Sequence, residues 1–319
     1  MNYDYKKGEK AASRDSYGKT LIELGEKHEE IIVMDADLAK SSTAYDFAKV
    51  FPNRFKYAGI SEQDMVSMAA GLATAGKIPF ISSFACFLPT RGYDQIRVSV
   101  AYSNTNVKIT GSHGGIMTGQ DGPTGQGITD LALMRNLPNM NVFVPSDVYE
   151  TIACTRAMYE NKGPHYMRTC REKTIILNDS VPEVKHGSSF VLRDGKDVSV
   201  IAVGPMVAEA VKASDILKEK GISVSVLNTV SLKPIDEKAV AKVCQNGLVV
   251  SAEDGVVEAL GASVAEIIAE KRIDARLLRI GLNNRFAESG NAFALLKKYE
   301  MDADAIVKKI ELSLKDMKR

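Results

Sequence analysis

A single carboxylate, Glu62, is the residue best placed to do chemistry in this sequence. It opens a strongly apolar predicted helix directly after a strand-like segment, within residues 57–65. The positive end of a helix favours the charged form of such a carboxylate, whereas burial in an apolar site favours the protonated form. Groups that exchange protons near neutral pH are held between these two influences. We therefore expect Glu62 to act in proton transfer; the alternative is that Ser61 and Asp64 form a capping box and Glu62 only begins the helix.

A glycine-rich segment, residues 111–127, is the second candidate. It holds seven glycines in 17 residues and includes the turn sequence Asp-Gly-Pro-Thr. Glycine lets a backbone approach a ligand closely. Because the segment follows a predicted strand, it should open at the carboxyl edge of a sheet, where α/β proteins bind ligands. Its side chains suited to catalysis or polar binding are His113 and Asp121, unless the segment is only a flexible surface loop.

The elements that must position these residues are strands and helices in regular alternation, which predicts parallel α/β sheets. Apolar, β-branched runs predict strands at 31–34, 80–82, 107–110, 142–144, 165–168, 198–203, 223–228, 248–251 and 276–280. Amphipathic patterns predict helices at 16–27, 62–75, 93–103, 128–137, 148–159, 207–220, 237–243, 258–269, 292–299 and from 303 onward. A polar stretch from about residue 172 to 197 interrupts the alternation. The sequence thus predicts two doubly wound α/β domains, residues 1–185 and 186–319.

Composition excludes several other classes of protein. A chain of 319 residues is long enough for two domains. Its net charge of +1 does not indicate the basic surface that a nucleic-acid-binding protein needs. The first residues lack the apolar region of a signal peptide, and no run approaches the roughly 20 apolar residues of a membrane span. The four cysteines are scattered without zinc-binding spacing. We expect a cytoplasmic protein with reduced thiols and no metal site of its own.

Four motifs occur in the order and spacing of one family: Gly-Ile-Ser-Glu-Gln at 59–63, Phe-Ile-Ser-Ser-Phe-Ala-Cys-Phe at 80–87, Arg-Gly-Tyr-Asp-Gln-Ile-Arg at 91–97 and Gly-Gln-Asp-Gly-Pro-Thr at 119–124. Together they resemble the pyrimidine-binding domain of thiamine-diphosphate enzymes of the transketolase type. The second half, with Ser-Ala-Glu-Asp-Gly at 251–255 and Gly261, resembles the transketolase C-terminal domain. The resemblance covers essentially the whole chain.

One part of the family pattern is missing. The Gly-Asp-Gly motif of the diphosphate-binding domain does not occur in the sequence. The resemblance therefore implies the C-terminal subunit of a split transketolase, inactive without a separate N-terminal subunit that holds Mg²⁺ or Ca²⁺ and the diphosphate of the shared cofactor. An α2β2 heterotetramer is implied. The enzyme would be a transferase of the pentose phosphate pathway that moves a two-carbon ketol unit between phosphorylated sugars through an ylid of thiamine diphosphate.

The resemblance also implies roles at the cofactor. Glu62 would hydrogen-bond N1′ of the aminopyrimidine and help to form its imino tautomer. Phe84 and Phe87 would stack on the ring or wall it, and Asp37 would lie near the cofactor. Taken without the motif, an aromatic pair at this spacing would indicate core packing.

On the substrate side, the resemblance implies that sugar phosphate is bound by Arg14, Ser41, His113 and Arg171, and a substrate hydroxyl by Asp121. Two guanidiniums, a hydroxyl and an imidazole are suitable partners for a phosphate dianion. Arg168 is a rival to Arg171, because a shift of one residue would exchange which side chain points into the cleft. At Gly125 relatives carry a histidine that binds the donor sugar, and what replaces it is open.

Other functions remain compatible with the sequence. A deoxyxylulose-5-phosphate synthase is normally one fused chain and carries the missing histidine, and the β subunit of a 2-oxoacid dehydrogenase is split but lacks the Asp-Gly-Pro-Thr loop. Arg14, Ser41 and Arg171 favour a phosphorylated sugar over pyruvate. A relative that kept the fold and lost the chemistry is the remaining alternative; the presence of Glu62 favours an enzyme.

Overall fold

Seven strands form the sheet of the first domain. The computed structural model describes residues 3–317. The strands of these residues are β1 (Lys10–Ala12), β2 (Ile31–Asp35), β3 (Phe55–Tyr57), β4 (Ile78–Phe84), β5 (Lys108–Ser112), β6 (Asn141–Phe143), β7 (His165–Arg168), β8 (Lys173–Ile175), β9 (Phe190–Arg193), β10 (Val198–Ala202), β11 (Val224–Asn228), β12 (Ser231–Lys233), β13 (Leu248–Val256) and β14 (Arg276–Leu282). The first sheet has the strand order β12-β6-β7-β5-β4-β2-β3. Neighbours from β6 to β3 pair in parallel, and only β12 is antiparallel to its neighbour.

Helices cover both faces of this sheet. The α-helices of the described residues are α1 (Tyr17–Lys27), α2 (Ala39–Ser42), α3 (Tyr45–Val50), α4 (Glu62–Thr74), α5 (Leu88–Arg91), α6 (Tyr93–Gln95), α7 (Asp130–Asn136), α8 (Val148–Glu160), α9 (Met206–Glu219), α10 (Glu237–Cys244), α11 (Leu260–Glu270), α12 (Ala292–Lys298) and α13 (Ala303–Met317). Along β2, Ile31 and Val33 pack into one apolar cluster with α1 and α8, whereas Ile32 and Met34 pack into another with α4. Alternate side chains of a strand point to opposite faces, so burial of both sets requires helices on both sides.

The second sheet has five strands in the order β14-β13-β10-β11-β9, parallel except for β9. The prediction of two α/β domains with parallel sheets is confirmed. A further short sheet pairs β1 with β8. The boundary predicted near residue 185 falls between the end of β8 and the start of β9 and stays a prediction.

Two features differ from the local sequence pattern. β12 belongs to the second half of the chain but pairs with β6 of the first sheet, so the second half completes that sheet. The helix predicted over 93–103 consists of α6 followed by a π-helical segment, Ile96–Tyr102. Within residues 3–317, no helix combines the length and apolarity needed to cross a membrane.

Candidate functional site

Glu62 is the first residue of α4, and its side chain is only 3% exposed. The alternative interpretation, a capping box of Ser61 and Asp64, is wrong, because the Ser61 side chain makes no cap hydrogen bond. Instead, Nη1 of Arg91 donates to both carboxylate oxygens of Glu62, at 3.2 and 3.3 Å. Arg91 ends α5 and its side chain is 49% exposed. A buried carboxylate is thus paired with a guanidinium that solvent can reach.

Aromatic rings continue from this ion pair toward the glycine-rich segment. The guanidinium carbon of Arg91 lies 4.1 Å from the ring centroid of Phe87. The rings of Phe87 and Phe84 are nearly parallel with centroids 5.7 Å apart, and Phe84 stacks on His113 at 3.8 Å. We call Arg91, Phe87, Phe84 and His113 the stacked row. It connects Glu62 with the residues around His113.

The far end of the stacked row is a cluster of polar groups. Nη1 of Arg14 lies 3.2 Å from Nε2 of His113 and donates to the carbonyl oxygen of Ser41 at 2.7 Å. Burial, with added repulsion from Arg14 and Arg171, lowers the pKa of His113 to about 3. The imidazole is therefore neutral near pH 7, so Nε2 accepts from Arg14 and Nδ1 donates to the Ser112 hydroxyl 2.9 Å away.

Two nearby arginines have different surroundings. Arg171 is 28% exposed and donates through Nη1 to Asp121 Oδ1 at 2.8 Å and to the carbonyl of Thr118 at 3.1 Å. Arg168 is 2% exposed and pairs with Asp130, at 3.2 Å, and with Asp254. Of these two arginines, therefore, only Arg171 can present its guanidinium to a ligand without breaking a buried ion pair.

The glycine-rich segment is packed between the two domains. Gly115 has φ +75°, and a Cβ there would lie 1.8 Å from a carboxylate oxygen of Asp254. A Cβ on Gly125 would lie 2.7 Å from Cβ of Asp121. Gly115 therefore requires glycine for close approach, and a larger residue at Gly125 would force Asp121 to shift.

One acidic residue near Glu62 was not predicted. Asp35 ends β2 and is fully buried, accepting hydrogen bonds from the Leu38 amide at 2.5 Å and from the Ser42 hydroxyl at 2.9 Å. Burial, with smaller contributions from the charges of Asp37 and Glu62, raises its pKa to about 7 despite these hydrogen bonds. The predicted residue Asp37 is itself exposed, with φ +65°. The signal for Asp35 in the sequence is its position at the carboxyl end of a buried strand.

In the second domain, Glu253 and Asp254 of β13 are also buried. The Glu253 carboxylate accepts the amide hydrogens of Leu260 and Gly261 at the start of α11, at 3.1 and 2.8 Å. Asp254 pairs with Arg168 of the first domain. These contacts hold the start of α11 and join the two domains. The Ser-Ala-Glu-Asp-Gly motif therefore has a structural role.

The fold and site define a two-domain α/β protein with a buried carboxylate and a stacked aromatic pair at the carboxyl edge of a parallel sheet. Two family models match the chain: transketolase, pyrimidine binding domain, over residues 9–175, and transketolase, C-terminal domain, over residues 187–306. The chain belongs to the transketolase family, whose members use thiamine diphosphate.

Individual relatives show which part of a transketolase this is. A putative transketolase C-terminal section of Methanocaldococcus jannaschii is 46% identical over 95% of this chain and 96% of its own length. A 6-deoxy-6-sulfo-D-fructose transketolase subunit SqwH of Clostridium sp. is 37% identical, with 92% of each chain covered. A solved split gene transketolase, an inactive β4 tetramer, is 40% identical with a TM-score of 0.86, covering 95% of this chain and 98% of that one. The prediction of a C-terminal half of a split transketolase is confirmed.

The side chains fit the aminopyrimidine of the family's cofactor. A carboxylate with a solvent-accessible partner can exchange that partner for a ring nitrogen, and the Phe84–Phe87 pair offers a flat apolar face. Within residues 3–317, no three His, Cys, Asp or Glu side chains converge as a metal-binding group.

Proposed function

We propose that this chain is the pyrimidine-binding subunit of a two-chain transketolase that moves a two-carbon ketol unit between phosphorylated sugars. The observation that supports this most directly is the stacked row, because it joins a buried carboxylate at one end to Arg14 at the other, with Arg171 nearby. A cofactor ring at the carboxylate and a phosphate at the arginines would be held on one continuous surface.

At the cofactor end, Glu62 exchanges a proton with N1′ of the aminopyrimidine. The bound thiamine diphosphate supplies the electron sink that the carbon–carbon chemistry needs. Phe84 and Phe87 wall the ring and exclude water from the carboxylate, which strengthens the hydrogen bond of Glu62 to its partner. Asp37, two residues beyond the end of β2, would lie near the cofactor.

At the substrate end, Arg14, Ser41, His113 and Arg171 bind the phosphate of the sugar. Neutral His113 contributes a hydrogen bond rather than a charge, so the two guanidiniums carry the electrostatic attraction. Asp121 binds a substrate hydroxyl while its contact with Arg171 fixes the orientation of both side chains. Gly125 leaves no side chain where relatives place a histidine, so the donor sugar is held by the remaining groups.

The diphosphate and its Mg²⁺ or Ca²⁺ belong, in this proposal, to a separate N-terminal subunit. The missing Gly-Asp-Gly motif supports this division, and the solved split gene transketolase of β chains alone is described as inactive. We propose an α2β2 heterotetramer of the cytoplasm, acting in the pentose phosphate pathway. Because one relative is named for 6-deoxy-6-sulfo-D-fructose, the identity of the donor sugar is left to experiment.

Reconstitution tests the proposal. The chain is purified with and without the N-terminal transketolase subunit of the same genome, and ketol transfer is assayed with thiamine diphosphate, Mg²⁺ and a panel of phosphorylated and unphosphorylated ketoses. We expect activity from the mixture with phosphorylated ketoses, and none from either chain alone. Activity from this chain alone would contradict the division of labour, and an inactive assembled complex across the panel would contradict the enzyme.

A further inference from the structure

Arg91 contacts both groups that an aminopyrimidine would use. Its Nη1 donates to the two carboxylate oxygens of Glu62, at 3.2 and 3.3 Å, and its guanidinium carbon lies 4.1 Å from the ring centroid of Phe87. One flat cation thus covers the proposed proton-transfer group and part of the proposed ring-binding surface at the same time.

A guanidinium and a 4-aminopyrimidine are chemically alike at these contacts. Both are planar, both offer a delocalised face to an aromatic ring, and the aminopyrimidine presents an N–H to Glu62 once N1′ has taken up the proton. The carboxylate oxygens of Glu62 and the face of Phe87 can serve one such group at a time. The contacts of Arg91 are therefore those expected of a ligand that the chain provides for itself.

The guanidinium is also free to leave. The Arg91 side chain is 49% exposed, and Glu62 is its only hydrogen-bonding partner among the side chains of residues 3–317. Arg91 is the last residue of α5, so its side chain can turn toward solvent without disturbing a helix interior. Glu62, in contrast, is 3% exposed and stays where the helix start holds it.

We propose that Arg91 stands in for the aminopyrimidine in the cofactor-free protein and must swing away from Glu62 and Phe87 before the cofactor ring binds. This inference rests on the proposed function of the site. The stand-in keeps the buried carboxylate paired while no cofactor is present. It also reduces the apparent affinity for the cofactor to the intrinsic affinity multiplied by the fraction of molecules in which the site is open.

Calorimetric titration of thiamine diphosphate, with Mg²⁺, into the reconstituted two-chain complex tests this stand-in. We expect Arg91→Ala to lower the apparent Kd roughly tenfold, because the closed form is removed. Arg91→Lys keeps the charge but lacks the flat face, so we expect a decrease of roughly two- to fivefold. The matched control is Arg97→Gln, an exposed arginine in the same region that pairs with Asp94 rather than Glu62, and its Kd should equal that of the wild type.

A chemical complementation makes the test specific. Guanidinium chloride at roughly millimolar concentration should bring the apparent Kd of the Arg91→Ala complex back toward the wild-type value and leave the wild type unchanged, because the small cation can occupy the emptied place. If both Arg91 variants bind thiamine diphosphate as tightly as the wild-type complex or more weakly, the proposal that Arg91 occupies the place of the aminopyrimidine is wrong. The proposed function of the chain is not contradicted by that result. If an assembled wild-type complex binds no thiamine diphosphate, both are wrong.

Discussion

Two ion pairs in this molecule contain the same chemical groups and differ in what can happen to them. Glu62 pairs with Arg91 at the carboxyl edge of the first sheet, and Asp254 pairs with Arg168 where the two domains meet. Arg168 is 2% exposed and also holds Asp130, so neither carboxylate can exchange its partner without leaving a buried charge unpaired. Arg91 is half-exposed and can be replaced by a ligand.

Glu253 extends the comparison. Like Glu62 it is a buried glutamate near the start of a helix, but its partners are backbone amides of α11 that are fixed by the helix itself. Burial of a carboxylate therefore does not identify a functional site by itself. The distinguishing property is a partner that can leave, and by that criterion the proposed cofactor site around Glu62 is suited to exchange and the domain junction to stability.

The largest difference should appear when the carboxylate of the exchangeable pair is neutralised. We expect Glu62→Gln to reduce kcat of the reconstituted enzyme by roughly 10³- to 10⁴-fold, because an amide provides no proton-transfer group. Circular dichroism and the unfolding midpoint should stay near those of the wild type. Asp64→Asn, an exposed carboxylate in the same first turn, is the control and should keep full activity. Substantial activity in Glu62→Gln would show that the Glu62 carboxylate is not needed for proton transfer.

The second prediction breaks the fixed pair. Arg168→Met leaves the buried carboxylates Asp130 and Asp254 without their cation, which should lower the free energy of unfolding by about 3–5 kcal/mol. Arg135→Met is a matched control, because Arg135 pairs with the more exposed Glu266 across the same two domains. The Arg135→Met substitution should lower the free energy of unfolding by less than about 1 kcal/mol. Denaturant titrations of the two variants would show whether the buried pair, rather than any pair joining the domains, carries the stability.

The third prediction uses pH at the domain junction. Burial raises the pKa of Glu253 to about 7 in the folded protein, from an ordinary value of 4.5. Because the folded state binds this proton more tightly, the contribution to stability is complete below about pH 4.5 and is lost as the pH rises through 7. Between about pH 5 and pH 8, the free energy of unfolding of the wild type should therefore fall by on the order of 2–3 kcal/mol relative to Glu253→Gln. Urea titrations at the two pH values measure this difference, and parallel pH dependence of both proteins would contradict it.

The sequence predicts the parts of this picture that depend on local pattern. The apolar pattern predicts a helix at 62–75, and α4 is Glu62–Thr74. The strand predicted at 80–82 lies within β4, which ends at Phe84. The sequence does not predict the pairing of Glu62 with Arg91, because that contact joins two elements 29 residues apart through side-chain rotamers. It misses Asp35 as well, since the burial that raises its pKa arises from packing. The sequence also does not predict β12, because three residues are too few to show the alternation of apolar and polar side chains that is typical of a strand.

The smallest effect in this series should come from Arg171, the arginine that sequence position alone leaves equivalent to Arg168. Because its guanidinium is partly exposed, Arg171→Ala should leave the unfolding midpoint nearly unchanged and raise KM for a phosphorylated ketose roughly 10- to 100-fold, about 1.5–3 kcal/mol for a charge-assisted contact. KM for the same ketose without phosphate should not change. Arg193→Ala, which removes a surface arginine paired with Asp215, is the control. An equal rise in KM with both substrates would instead indicate that Arg171 acts by holding Asp121. Arg171 would then resemble Arg168, whose ion pairs are fixed, rather than Arg91, whose partner can be exchanged.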